Sequence, residues 1–209
     1  NHSSDVYSAN GEDGINEYIL KHLELDSGVV LEIGAWDGFF DSNCANLWSN
    51  GSYNGILIEA TSKLNIADLE SRYDNINCYR ELISSSNTLE DVIDKCKFDV
   101  DEDNFVLASI DVDGDDLNVA RSLGKYKPII LIVEPNGDVI TRSNSNGSTI
   151  KELIDFGIDF GYDFMGMSGH VGRHSGNVYL IRNDYKDKFD ICSKPWQQRG
   201  IILSEGVLY

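Results

Sequence analysis

The sequence predicts an α/β fold built on a seven-stranded, mostly parallel sheet whose last strand is antiparallel. Short, almost entirely apolar runs alternate with amphipathic stretches, which is the pattern of strands buried between covering helices. The run Val29–Ile33 leads into a glycine-containing turn, as the first strand of such a sheet does. The last two runs are separated by too few residues for a helical crossover, so that pair is expected to be antiparallel.

Apolar runs and helix-capping signals set the element boundaries. An apolar face formed by Ile15, Ile19 and Leu23 favours a first helix, and Thr88 with Asp91 forms a capping pair that opens the fourth. The predicted strands are Val29–Ile33, Gly55–Glu59, Ile76–Leu82, Phe105–Asp111, Ile129–Glu134, Tyr162–Met167 and Val178–Ile181. The predicted helices are Glu12–Leu25, Ser42–Ser49, Ser62–Tyr73, Thr88–Lys95, Asp115–Leu123 and a last one that Ser148 caps and that ends at Phe160.

The whole chain, residues 1–209, is expected to form a single domain, because no linker or repeat divides it and its length can bury one core. Residues 1–6 are expected to lie outside the fold, as a vector-derived or disordered end. Residues 190–209 are expected to form a C-terminal extension.

The composition is strongly acidic, with 17 Lys and Arg against 35 Asp and Glu and a formal net charge of −18. Such a surface repels phosphate backbones and anionic lipids, so neither nucleic acid nor a membrane is an expected partner. The four cysteines include no C-x-x-C pair, which is typical of reduced thiols and predicts a cytoplasmic protein. The composition leaves open whether the protein forms a homo-oligomer.

Acidic residues stand where several predicted strands end. Asp37 lies in the Gly34–Gly38 turn after the first strand, and Glu59 ends the second. The other strand-end acids are Asp111, Asp113 and Glu134. In an open α/β sheet, ligands bind at the carboxyl ends of the strands. A carboxylate at the end of the second strand is expected to hold ribose hydroxyls, which makes Glu59 the candidate for that role.

The first turn disfavours a dinucleotide ligand. Gly34 and Gly38 are separated by three residues and do not form the G-x-G-x-x-G pattern, and Asp37 between them would repel a pyrophosphate. The turn favours a nucleoside without phosphate that carries a cation and an amine. A nicotinamide-dependent oxidoreductase and a non-catalytic ligand-binding module stay open as alternatives.

Five segments resemble the FkbM-type class I methyltransferases, in residues 7–17, 29–43, 55–60, 107–114 and 129–136. The strongest elements are an N-terminal G-E-D-G, the E-I-G-A-W-D-G turn and the S-I-D-V-D-G strand end, in that order. The resemblance implies a Rossmann-like methyltransferase sandwich, S-adenosylmethionine as cofactor, and transfer to a hydroxyl of a small acceptor such as a sugar or glycan precursor. The chain departs from the family pattern at Pro135, where a tyrosine is expected.

The resemblance also assigns cofactor roles. The methionine end would lie against the Gly34–Gly38 turn, its carboxylate would meet Ser42 and Asn43, and Glu12 and Asp13 would close over the site. Alternatively, the last two are simply favourable acids in a first helical turn. The implied cofactor-binding residues are Glu12, Asp13, Glu32, Gly34, Ala35, Asp37, Gly38, Ser42, Asn43, Glu59, Ala60, Leu82 and Asp111.

Methyl transfer needs an aligned nucleophile, a proton acceptor and exclusion of water. Asp111, Asp113 and Glu134 would lie beside the reacting methyl group, where they could take the proton or hold Mg²⁺. Alternatively, these acids orient the ammonium group of the cofactor. His170, in a loop on the ligand side of the sheet, is a candidate general base. The candidate acceptor-binding residues are Asn136, Arg142, Arg173 and His174.

Overall fold

The computed structural model describes residues 2–137, 141–142, 146–169 and 176–195. Its seven strands are β1 (Gly28–Ile33), β2 (Tyr53–Ile58), β3 (Ile76–Tyr79), β4 (Phe105–Ile110), β5 (Ile130–Val133), β6 (Tyr162–Met167) and β7 (Val178–Arg182). They form one sheet in the order β3-β2-β1-β4-β5-β7-β6. The first five strands pair in parallel, and β7 is antiparallel to both β5 and β6. The predicted sheet, with one reversed strand at the end of the chain, is confirmed.

The helices that connect the strands are mostly shorter than predicted. They are α1 (Glu12–His22), α2 (Ala45–Trp48), α3 (Ile66–Arg72), α4 (Leu89–Lys95), α5 (Asp116–Arg121) and α6 (Ile150–Phe160). Two 3₁₀ turns, Lys186–Lys188 and Asp190–Ser193, follow β7. The first helix ends before the expected Leu25 because Glu24 takes a left-handed backbone conformation, with φ 58°. Among the described helices, none has the length and apolar character that a membrane span requires.

Two helices begin with a capping box. Thr88 and Asp91 form the expected box at the start of α4. At α6 the cap is Thr149 rather than the expected Ser148, because the Thr149 hydroxyl accepts from the Glu152 N–H and the Glu152 carboxylate accepts from the Thr149 N–H. The neighbouring Ser148 has no Glu or Gln at the reciprocal position, so the box forms one residue later.

Two apolar layers cover the sheet. On one face, Ile19 of α1 and Trp48 of α2 pack with Val30 of β1. On the other face, Leu153 of α6 packs in a second cluster with Leu31, the next residue of β1. Adjacent residues of β1 therefore belong to opposite layers, as the alternation of side chains along a strand requires. The strands are buried on both faces, which leaves the ends of the sheet to bind ligands.

The N-terminal segment lies against α1, although residues 1–6 were expected outside the fold. The Ser4 carbonyl accepts from the Gly14 N–H at 3.0 Å, and a Cβ on Gly14 would lie 1.9 Å from the His2 carbonyl oxygen. One Asp13 carboxylate oxygen accepts from three consecutive backbone N–H groups, those of Val6, Tyr7 and Ser8. The G-E-D-G segment therefore fastens this end of the chain to the domain.

Gly34→Ala should destabilise the protein more than Gly51→Ala. Both glycines have positive φ, +81° and +83°, so alanine is strained at each by about 1–2 kcal/mol. A Cβ on Gly34 would also lie 1.7 Å from the Asp111 carbonyl oxygen, whereas nothing lies within 4 Å of the corresponding position on Gly51. In urea denaturation, Gly34→Ala should therefore lower the free energy of unfolding by at least about 2 kcal/mol more than Gly51→Ala does. Equal losses would mean that the ends of β1 and β4 separate at little cost.

Candidate functional site

A cavity of about 1030 Å³ opens at the carboxyl ends of β1 to β4. Residues that directly follow these strands line it, as expected when parallel strands end at the same edge of a sheet. The lining includes Glu32, Gly34, Glu59, Ala60, Leu82, Ser109, Asp111 and Asp113. Several of the predicted site residues are thus brought together around one cavity.

Glu59 is fixed where β2 ends. One carboxylate oxygen accepts from the Trp36 N–H at 3.0 Å, and the other accepts from the Thr61 N–H at 2.7 Å. Charge-assisted bonds of this kind hold a carboxylate more firmly than neutral ones. The Glu59 side chain therefore joins the turn after β1 to the turn after β2, and it faces the cavity from a fixed position.

Glu32 is buried in β1 and is supported by the two residues that were expected to bind the cofactor carboxylate. The Ser42 hydroxyl and the Asn43 N–H each donate to one of its oxygens. Burial raises the pKa of Glu32 to about 7, and these two bonds oppose that rise. Asn43 also donates from its side chain to the Ser109 hydroxyl at 2.9 Å, which links the segment before α2 to β4.

Asp37 has a local role in the turn after β1. Its carboxylate accepts from the N–H groups of Phe39 and Phe40, at 2.9 and 2.8 Å, and the side chain is exposed. It is not among the described residues that line the cavity. The turn itself is compact, because the Gly38 N–H donates to the Ala35 carbonyl at 2.6 Å.

Glu12 and Asp13 are buried at the start of α1. One Glu12 oxygen accepts from the Ser168 hydroxyl at 2.6 Å and from the Asn177 amide at 3.0 Å. Glu12 therefore joins α1 to the end of β6 and the start of β7. One oxygen of Asp13 is buried without a hydrogen-bond partner among the described residues. Neither residue is in the described lining of the cavity.

Asp111, Asp113 and Glu134 form a cluster that we call the acidic cluster. One carboxylate oxygen from each lies within 4.8 Å of the others. Burial, followed by the charges of the neighbouring Asp111 and Asp116, raises the pKa of Glu134 to about 8. The pKa of Asp111 is raised as well, chiefly by desolvation, although its tip remains open to the cavity. Two carboxyl groups this close cannot both ionise freely, so Asp111 and Glu134 titrate as a pair.

Asp116 completes this region, and sequence reasoning missed it. It is 0% exposed and accepts from the Val112 N–H at 2.7 Å, the Gly114 N–H at 2.9 Å and the Asn136 amide at 2.8 Å. The same Asn136 amide donates to Glu134 at 3.2 Å. The signal in the sequence was an acid in the first turn of a helix that follows a glycine-containing loop.

The remaining predicted residues lie elsewhere or outside the described ranges. Arg142 is exposed, pairs with Glu152 of α6 and is not in the described lining of the cavity. Leu82 lines the cavity with 72% of its surface exposed. His170, Arg173 and His174 lie outside the described residues, so their roles stay predictions.

Comparison with solved structures identifies the fold. A methyltransferase FkbM from Methylobacillus flagellatus KT superposes with a TM-score of 0.51 at 16% identity, over 75% of this chain and 44% of that chain. Magnesium protoporphyrin IX methyltransferase from Synechocystis PCC 6803, with S-adenosylhomocysteine bound, superposes with a TM-score of 0.51 at 10% identity, over 82% of this chain and 81% of that chain. The 1,6-didemethyltoxoflavin-N1-methyltransferase from Burkholderia thailandensis superposes with a TM-score of 0.50 at 12% identity, over 84% of this chain and 79% of that chain.

This chain has the class I methyltransferase fold. The sheet order and the reversed β7 agree with it. At these identities the matches show the fold and no particular family within it. No protein-family model matches the chain, and no curated protein matches it significantly. The FkbM-type assignment therefore stays a resemblance, carried by the sequence motifs.

Glu32→Gln should flatten the dependence of stability on pH. A carboxyl whose pKa is raised from 4.5 to about 7 on folding stabilises the folded state most below pH 4.5, and that contribution is lost as pH rises through 7. The contribution of Glu32 to the free energy of unfolding falls by about 3 kcal/mol at most across this pH range. Urea denaturation of the wild type between pH 5 and 8 should show the decline, and Glu32→Gln should reduce it. The exposed Glu102→Gln is the control, and equal slopes in all three proteins would contradict the assignment.

Proposed function

We propose that this chain is an S-adenosylmethionine-dependent O-methyltransferase that acts on a hydroxyl of a small acceptor, a sugar or a glycan precursor. One observation carries the proposal. In a class I methyltransferase fold, a fixed carboxylate at the end of β2 and the acidic cluster beyond β4 and β5 lie at the same edge of the sheet. The first suits a nucleoside ribose, and the second suits removal of a proton from a hydroxyl.

The residues around the cavity fit the cofactor. Glu59 keeps both oxygens at the cavity edge while two backbone N–H groups hold it, so it can accept from ribose hydroxyls without moving. Leu82 and Ile83 supply an apolar wall for adenine. Gly34 leaves the turn after β1 without a side chain, which lets a ligand approach the backbone. Ser42 and Asn43 both bond to Glu32; Asn43 also lines the cavity and can contact the cofactor, whereas Ser42 supports it indirectly in this proposal.

The charge of the lining favours this cofactor over a dinucleotide. Acidic side chains recur around the cavity, and the described part of its lining contains no Lys, Arg or His. A pyrophosphate would be repelled there, whereas a sulfonium and an ammonium group would be attracted. The nicotinamide-dependent alternative loses support on this ground. A non-catalytic binding module is opposed by the acidic cluster, whose closely spaced carboxylates suit proton transfer.

The acidic cluster supplies the chemistry of the proposed reaction. Bound S-adenosylmethionine supplies an electrophilic methyl group, whose bond to sulfur breaks with the electron pair remaining on sulfur as the bond to oxygen forms. The acceptor hydroxyl must lose its proton in the same step. The Asp111 and Glu134 carboxyl groups lie within 4.8 Å of each other, and an ionised carboxylate of this pair can accept the hydroxyl proton and pass it to water. His170 is the second candidate for this role by sequence.

A divalent cation is a second candidate occupant of the acidic cluster. The three oxygens of Asp111, Asp113 and Glu134 lie close enough together to ligate one ion, and oxygen ligands suit Mg²⁺. An ion there would bind a vicinal diol and lower the pKa of one hydroxyl. Close carboxylates equally suit a shared proton, so the metal is the part of the proposal that requires its own test.

Glu59→Gln should weaken cofactor binding by about 10- to 100-fold, because it removes the charge that ribose hydroxyls and two backbone N–H groups bond to. Calorimetric titration with S-adenosylmethionine and S-adenosylhomocysteine measures this, with Glu102→Gln as a control of equal charge change. We expect micromolar binding of both ligands to the wild type. Tight binding of NADH without binding of either ligand would replace the proposal by an oxidoreductase.

Asp111→Asn should lower methyl transfer to a screened sugar acceptor by about 100-fold or more while the dissociation constant of S-adenosylhomocysteine changes little, because proton removal is worth about that much. The exposed Asp99→Asn is the control. The assay is run with Mg²⁺ and with EDTA. Loss of activity in EDTA that only a divalent ion restores assigns the cluster to the metal, whereas full activity in EDTA assigns it to proton transfer. Unchanged turnover in Asp111→Asn would contradict both roles.

A further inference from the structure

We propose that Asp116 is a positioning residue that sets the geometry of the acidic cluster, through the loop between β4 and α5 and through Asn136. The inference rests on the proposed methyltransferase function and adds the residue on which the arrangement of its reactive groups depends. Asp116 itself is fully buried and is not among the described residues lining the cavity, so it acts through others.

The first path runs through the backbone of the loop. Asp116 begins α5, and its carboxylate turns back to accept from the Val112 and Gly114 N–H groups. These two residues flank Asp113, which has a left-handed φ of 58°. A non-glycine residue holds that conformation only where its surroundings fix it. The two bonds therefore determine where the backbone presents Asp113, and Asp111 one residue before Val112.

The second path crosses to β5. The Asn136 side-chain nitrogen donates to Asp116 at 2.8 Å and to Glu134 at 3.2 Å. An amide nitrogen has two hydrogens, so both bonds form at once. The bridge holds Glu134 near Asp111, where one oxygen of each carboxylate lies within 4.8 Å of the other. Asp116 consequently positions all three members of the acidic cluster, two through the loop and one through Asn136.

Pro135 adds to the rigidity of this second path. It stands between Glu134 and Asn136, is buried, and fixes its own φ near −65°. The residues on either side turn their side chains toward each other, and a fixed φ between them lowers the entropy lost in doing so. The departure from the family pattern at this position therefore has a structural use: it stiffens the link between Glu134 and the buried Asp116.

Two variants test the proposal on the whole chain. Asp116→Asn replaces one acceptor oxygen by a donor, and Asn136→Ala removes the bridge and leaves the loop bonds in place. Asp101→Asn is the matched control, because Asp101 also accepts from two backbone N–H groups, those of Asp103 and Asn104, in the loop before β4. Stability in urea, affinity for S-adenosylhomocysteine, and the kcat and KM of methyl transfer to a screened sugar acceptor are measured for each protein.

We expect Asp116→Asn to lower kcat by about 100-fold and Asn136→Ala by at least about tenfold, because small displacements of reacting groups cost this much. KM and the affinity for S-adenosylhomocysteine should change by less than about threefold. The double variant should lose no more than Asp116→Asn alone, since both changes break the same link. Asp101→Asn should keep kcat. Additive losses, or equal losses in kcat, affinity and stability, would reduce Asp116 to a purely structural role.

A crystal structure of Asn136→Ala gives a readout that needs no acceptor. The Glu134 carboxyl should leave its position beside Asp111 while the loop 111–115 stays in place. If Glu134 keeps its position, the inference is wrong even where the proposed function holds. If the wild type binds neither S-adenosylmethionine nor S-adenosylhomocysteine, the proposed function fails instead, and the crystal structure still decides whether Asn136 holds Glu134.

Discussion

Buried carboxylates that accept from backbone N–H groups hold the turns at the ligand edge of this sheet. Glu59 joins the turn after β1 to the turn after β2, and Asp116 holds the loop after β4. Asp13 does the same for the N-terminal segment, with three N–H donors on one oxygen. Burying an ionised carboxylate costs several kcal/mol, and charge-assisted bonds offset that cost only where the geometry is good. Each turn is thereby restricted to the conformation that satisfies its carboxylate.

The free-energy cost of burying these carboxylates shows as a raised pKa where their hydrogen bonds are too few to offset it. Burial raises the pKa of Glu32 to about 7 and that of Asp116 to about 6, although N–H donors oppose the rise in both. No described Lys or Arg forms an ion pair with either residue. The acidic edge is thus less stable than an apolar or ion-paired one would be. Such a loss of stability is expected at a site with the proposed role of attracting a cationic ligand.

Periodicity and turn residues allowed the strands, their mostly parallel pairing and the reversed β7 to be predicted, because these depend on local patterns and on the length of the last connection. The gathering of Glu59 and Asp111 at one edge followed from the parallel sheet. Asp116 was missed because an acid in the first turn of a helix after a glycine-containing loop marks only the position, whereas the return of its side chain to the loop N–H groups depends on the folded structure. The bonds of Ser42 and Asn43 to Glu32 were not predicted, since the path of the chain before α2 depends on tertiary packing; Asn43 also lines the cavity, and the assignment of both residues to the cofactor stays a prediction.

The number of donors around each carboxylate separates those that hold the structure from those available for chemistry. Asp116 accepts from three donors and is not in the described lining of the cavity, so its carboxylate is not available to bind a ligand. Among the described residues Glu134 has one donor, Asn136, and one of its oxygens lies within 4.8 Å of an Asp111 oxygen. Asp113 projects from a loop that Asp116 fixes, and its carboxylate lines the cavity. The proposed function therefore assigns ligand and proton binding to the carboxylates whose hydrogen bonding within the protein is incomplete, and the carboxylates with more donors determine where those groups lie.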